Sequence, residues 1–238
     1  MSTSDTTEPG LRAGLIEALR ETIAVERDVF AAVDPAGREV PAADGGWSAK
    51  DHLAHLSAWR QRQADKLTAL RDGSDHPESP GLDIDATNAR IQAERADWAW
   101  ERVVSDADST AVALIAAVAA ASAETLADPK VVGSVMGDGP EHDLGHLVHV
   151  AIGEGLDSRV TGLAQTTRAM IDRGGWPPGP AAYARYNLAC FYALNGRLDE
   201  ARPLLKQALA DQAELRALAP HDDDLIALRD EIASLATG

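Results

Sequence analysis

Apolar residues recur at helical spacing through most of the chain. Leu11, Leu15, Leu19, Ile23, Phe30 and Val33 fall on one face of a helix, which Pro35 and Gly37 end before a turn-rich loop to Gly46. Ser48, with Asp51 three residues on, has the spacing of a capping box and predicts a helix from there to about Leu70. Gly73, Pro77, Pro80 and Gly81 make the next stretch a loop. Ile84, Asn88, Ile91 and Trp98 then mark a helix that reaches toward Val103, and Asp108 or Ser109 opens another ending near Leu126. Asp128 to Pro140 carries two prolines and three glycines and reads as a loop long enough to rim a pocket. A long helix follows from about Glu141 to about Asp172. Its glycines Gly145, Gly153 and Gly155 point to close packing or to space beside a site.

The run Arg173-Gly-Gly-Trp-Pro-Pro-Gly-Pro180 breaks the helical pattern and is the strongest boundary signal, giving expected domains of 1–173 and 180–238. Beyond it, Leu188, Ala189, Tyr192, Gly196, Ala201, Leu205 and Ala208 have the offsets of one tetratricopeptide repeat, and a helix from about Asp222 to Leu235 follows. A single repeat cannot bury its apolar face alone. The expectation is that these C-terminal helices pack on the preceding bundle, on a second copy in a homodimer, or on a protein partner. The expected fold class is all-α, a helical bundle followed by a small helical hairpin.

Composition narrows the function. Of 238 residues 45% are apolar, enough for a packed core, and the weight of alanine and leucine favours helices. Only 4% are aromatic, yet five are tryptophans, so each large ring should fill a particular place in a core or pocket. A formal charge of −16 argues against nucleic acid and against anionic membranes as partners. The single cysteine, Cys190, lies in an apolar helical run and reads as a core residue. Met1 to Gly10 lacks the pattern of a signal peptide, and the run Ala111–Ala121 is too short and too alanine-rich to span a bilayer. The expected compartment is the cytoplasm, with no membrane association.

Five of the seven histidines sit in two short helical stretches. His142, His146 and His149 are offset by four and seven residues, which puts them within roughly a 60° arc of one helix. His52 and His55 lie in the earlier stretch, His52 in the first helical turn and His55 about one turn deeper. A pair of imidazoles on one helix and a third from another is how a catalytic zinc-type site is built, with one coordination position left open. Trp59 lies one turn beyond His55 on the same face and is a candidate pocket wall or core residue. Trp47, just before the N-cap, reads as a hydrophobic staple. Asp143 and Glu154 are candidates to orient imidazoles, with solvated carboxylates as the plainer alternative.

The block Gly46-Trp-Ser-Ala-Lys-Asp-His-Leu-Ala-His-Leu-Ser-Ala-Trp59 resembles the start of the second helix in the DinB/YfiT-like superfamily, and with Asp85-Ala-Thr-Asn88-Ala-Arg-Ile91 it is most similar to the ClbS/DfsB-like branch. The resemblance spans about Leu11 to Asp172. It implies a four-helix bundle holding a divalent metal, zinc or nickel, through His55, His142 and His146. His149 falls where many members have glutamine and is implied to line the pocket or back the ligands, as Asn88 and Asp143 would. His52 occupies a position commonly apolar in the family and is read as a solvated residue.

The superfamily includes low-molecular-weight thiol transferases using mycothiol, bacillithiol or glutathione, maleylpyruvate isomerases, and ClbS-like hydrolases. An open metal position serves all of them, by lowering the pKa of a bound water or thiol. The leading expectation is hydrolysis or detoxification of a reactive electrophilic small molecule by metal-activated water, with His146 as the catalytic position. A thiol transferase that takes a low-molecular-weight thiol as cofactor is the first alternative, and a non-catalytic small-molecule binder is the rival class.

Overall fold

The computed structural model describes residues 8–41, 46–74, 83–172 and 178–235, and every regular element among them is helical. The chain divides into two compact units, Met1–Asp143 and Leu144–Gly238. That division falls inside a helix. It lies well before the proline–glycine run at 173–180, of which residues 173–177 are outside the described residues, as are 75–82 of the loop read from Gly73 to Gly81.

The first unit is built from α1 (Glu8–Ala32), α2 (Ala49–Asp72), α3 (Ile84–Arg95), α4 (Trp100–Ala120), α5 (Ala123–Ala127) and α6 (Pro129–Gly137). Helix α2 packs along α4 and also against α3, while α1 packs on α4 and α5. Leu15, Leu19, Ile23 and Phe30 of α1, Leu53, Leu56 and Leu67 of α2, and Val103, Leu114 and Val118 of α4 are all buried. Each set repeats at three- and four-residue steps, so the apolar face read from the pattern is the face that packs. The start of α2 forms as its sequence dictates. Ser48 Oγ accepts from the Asp51 amide at 3.2 Å, and Asp51 Oδ2 accepts from the Ser48 amide at 3.0 Å. Gly73 closes the helix at φ 66°.

Several boundaries differ from the sequence pattern. Helix α4 runs unbroken through Asp108 and Ser109, the residues expected to open a new helix. Ser109 Oγ instead donates to the Ser105 carbonyl at 2.7 Å, and Asp108 pairs with Arg27 of α1 at 2.7 Å, so neither acts as a cap. By length and composition α4 could cross a membrane. It carries Asp106 and Asp108 along its length and packs on α2 and α1. The expected loop at 128–140 contains α6, which Asp128 caps by accepting from the Lys130 amide at 2.9 Å, with Pro129 in the first turn, where it needs no amide partner. Gly139 follows, and here glycine is required. A Cβ would stand 2.8 Å from both the Val135 carbonyl oxygen and Leu19 Cδ2.

Helix α7 (Pro140–Gly153) starts at that glycine, beginning in the first unit and continuing into the second. The single long helix expected to Asp172 is in fact α7 and α8 (Asp157–Asp172). Gly155 turns between them at φ 69°. The rest of the second unit is α9 (Pro178–Leu194), α10 (Leu198–Asp211), α11 (Ala213–Leu218), two 3₁₀ segments (Ala219–His221 and Asp223–Glu231) and α12 (Ile232–Leu235). Helices α9 and α10 form a hairpin around Gly196, at φ 70°. Leu188, Leu205 and Leu209 are buried, and α9 also packs on α8 and on the longer 3₁₀ segment. That segment stands where the pattern gives an α-helix over 222–235.

Candidate metal centre

Helix α2 brings His55 to its buried face, and the first turn of α7 brings His142 against it. The two Nε2 atoms are 2.9 Å apart. His146 follows His142 one turn later on the same helix. Two nitrogens on one tetrahedral zinc ion stand about 3.3 Å apart, given Zn–N bonds of about 2.0–2.1 Å. The His55–His142 pair is within a few tenths of an ångström of that spacing.

Both rings are held neutral. Burial lowers His55 to about 4, helped by His52 and Arg95, and burial lowers His142 to about 3, helped by His55 and Arg60. An imidazole must lose its proton to ligate, so two rings neutral at physiological pH bind a cation without displacing one. The donor set and its protonation state therefore fit a divalent ion.

Tryptophans wall the pair. The Trp47 ring centroid is 4.6 Å from that of His55 and 5.5 Å from that of His52, the fourth residue of the helix, so the staple expected of Trp47 closes on a histidine. Trp59 is buried, with its ring 6.2 Å from His55 and 6.0 Å from His142, and its Nε1 donates to Asn88 Oδ1 of α3 at 3.1 Å. Trp59 and Asn88 thus form one bonded unit beside the histidines. His52 is half-buried against Trp47. His149 is exposed, and its Nε2 stands 3.5 Å from Asp224.

A narrow cleft beside His55 is lined by Trp47, Lys50, Asn88 and Arg95, with an enclosed volume of about 10 Å³, room for about one water. A larger groove, about 290 Å³, lies between α1 and α4 at Phe30, Trp100 and Val104, and none of the histidines lines it. Arg95 is anchored at the cleft. It donates to the Ala54 carbonyl and to Ser57 Oγ, and pairs with Asp106 of α4 at 3.3 Å.

Sequence reasoning missed a buried charge cluster. Arg60 is completely buried and pairs through Nη2 with Glu26 of α1, also buried. Asp143, next to His142, is buried too, and its charge and that of Arg60 act on each other. Burial pushes Asp143 up to about 8, against the pull of Arg60, and raises Glu26 and Glu141. Asp143 is therefore a buried carboxyl, neutral near pH 7, rather than a solvated carboxylate. The signal for Arg60 was present. It follows Leu53 and Leu56 by seven and four residues, an arginine at an apolar-face position.

No curated protein and no solved structure matches the chain. Residues 18–157, which carry His55, His142 and His146, match the family model described as the DinB superfamily, and over more than half its length the chain belongs to that superfamily.

Proposed function

We propose that this chain is a metal-dependent enzyme that disarms a reactive electrophilic small molecule by hydrolysis, in the manner of the ClbS-like branch, with His55, His142 and His146 holding a zinc or nickel ion. The observation that carries the reading is the pair of neutral, converging imidazoles, His55 and His142. A divalent cation held there supplies a Lewis acid and makes water a nucleophile near neutral pH. The chain's residues do the rest. Trp47 and Trp59 exclude bulk water and offer flat apolar walls to a substrate. Asn88, fixed by Trp59, keeps amide donors to orient a polar group of it. Gly139 lets α7 start close against α1, and this sets where His142 points. Cys190 belongs to the second unit, and no cysteine stands among the three histidines, so attack comes from water rather than from a protein thiol.

The test is metal analysis followed by turnover. Purified chain should hold about one zinc or nickel ion at the imidazole site. His55→Ala, His142→Ala and His146→Ala should each weaken it by more than the roughly 10–100-fold that loss of an outer-shell partner costs. His52→Ala should not. The loaded protein should open an epoxide or cyclopropane electrophile without added thiol, and His146→Ala should lose that turnover. Turnover only with mycothiol, bacillithiol or glutathione would replace this reading with thiol transfer, and no turnover across a broad electrophile panel would sink it.

A further inference from the structure

The second unit gathers another set of metal-type donors. Cys190 of α9, Asp222 before the longer 3₁₀ segment and Asp224 within it each place a ligand atom within 4.8 Å of the others. Cys190 is buried, with its Sγ 3.9 Å from Asp222 Oδ2. His149 adds an imidazole, with Nε2 3.5 Å from Asp224 Oδ2. We infer that Cys190, Asp222, Asp224 and His149 form a second cation site, suited to zinc or another borderline-soft divalent ion.

The donor chemistry is the first argument. A thiolate and two carboxylates make a three-donor set to which the His149 imidazole, beside Asp224, adds a fourth, with the softness zinc prefers, whereas an oxygen-only cluster would suit calcium or magnesium. Spacing is the second. Sulfur and oxygen on one tetrahedral zinc lie about 3.6 Å apart, from bonds of about 2.3 and 2.1 Å. The Cys190–Asp222 separation of 3.9 Å needs to close by only a few tenths of an ångström.

Charge is the third argument. Arg229 donates to the Asp222 carbonyl oxygen at 3.1 Å and to the Asp223 carboxylate at 2.9 Å, not to the carboxylates of Asp222 or Asp224. Tyr186 donates its hydroxyl to Asp222 Oδ2 at 2.6 Å, and Asp222 Oδ1 accepts from the Asp224 amide at 3.0 Å. Both bonds fix the carboxylate's direction while leaving lone pairs for a cation. Burial and the neighbouring carboxylates raise the Cys190 thiol, so without a cation it stays protonated. Binding breaks the S–H bond and forms a sulfur–metal bond. The proton leaves to water and no electrons change hands.

Cobalt(II) added to the purified full-length chain tests this directly. A thiolate-to-cobalt charge-transfer band reports only a cysteine-bound ion, and Cys190 is the chain's single cysteine. The signal is therefore independent of the imidazole site in the first unit. The band should appear in the wild type, persist in His55→Ala/His142→Ala, be displaced by zinc and vanish in Cys190→Ser. The partly exposed Asp224→Asn, whose folding is less at risk, should weaken cobalt binding by about 10–100-fold or more. No band at saturating cobalt overturns the site, and so does a band that Asp224→Asn and His149→Gln together leave unchanged.

Discussion

The two units both gather metal-type donors, and they hold them in opposite states. In the first, burial beside Arg60 and Arg95 strips His55 and His142 of their protons, so the ligands are ready at neutral pH. In the second, burial beside Asp222 and Asp224 keeps the proton on Cys190. Desolvation favours the neutral form in both. For an imidazole that form is the ligand, and for a thiol it is not. A buried donor cluster thus states its readiness through residue type as much as through geometry.

The largest effect should come from the cation that backs the first cluster. Arg60 and Glu26 are both buried and paired, and removing the guanidinium leaves carboxyl groups without their counter-charge. Arg60→Ala should cost about 3–5 kcal/mol, read by denaturant unfolding. Lysine should not restore the loss, since one ammonium cannot reproduce the planar fork. A loss below about 1 kcal/mol would mean that burial alone, without the guanidinium, supports the histidine end.

How much of this was legible depends on how local each cause is. The start of α2 was, because Ser48 and Asp51 satisfy each other within one turn. The α9–α10 hairpin was as well, through Gly196. His55, His142 and His146 are singled out by spacing and resemblance, and within the first unit the fold brings the nitrogens of His55 and His142 together. What failed was settled at a distance. Asp108 and Ser109 look like caps until Arg27, 81 positions earlier, claims Asp108. The end of α7 rests on Gly155, one of several glycines that looked alike in the sequence. The apolar-face position of Arg60 gives no partner until Glu26 is placed beside it. Likewise His149 meets Asp224 only through folding, and spacing along its own helix grouped it with His142 and His146. The start of α6 was a misreading of a local signal, since Asp128-Pro129 is a helix start.

A smaller effect tests the second cluster. The Tyr186 hydroxyl bond to Asp222 aims the carboxylate toward Cys190. Tyr186→Phe removes one hydrogen bond to a charged group and should cost about 1.5 kcal/mol, the low end for such bonds, because Asp222 keeps other donors. Thermal unfolding measures it, and a neutral result would show the bond to be replaced by water. The variant should also weaken cobalt binding while leaving the imidazole pair untouched, which sharpens the separation between the units.

The smallest effect is a pH slope that belongs to the first unit alone. For His55 and His142 the folded values lie below the ordinary 6.5, so the unfolded chain binds protons that the native chain does not. Their stabilisation is present above about 6.5 and is lost as pH falls toward 4 and then 3. Asp143 has the opposite sign. Its folded value, raised to about 8, gives stability that is full below the ordinary 3.8 and is lost as pH rises through 8. Between pH 4 and 6.5 the two oppose each other, but above 6.5 the imidazoles are neutral in both states and Asp143 remains, with Glu26 and Glu141 shifted in the same direction. Metal-free protein should therefore lose about 0.7 kcal/mol from pH 7.5 to 8.5, and the slope should vanish well beyond, where the carboxyl is ionised in both states. Asp143→Asn, which cannot ionise, should remove the Asp143 share of that slope while the acid limb stays. If the alkaline slope is unchanged by the asparagine, the buried Glu26 and Glu141, raised by the same desolvation, carry it and Asp143 does not.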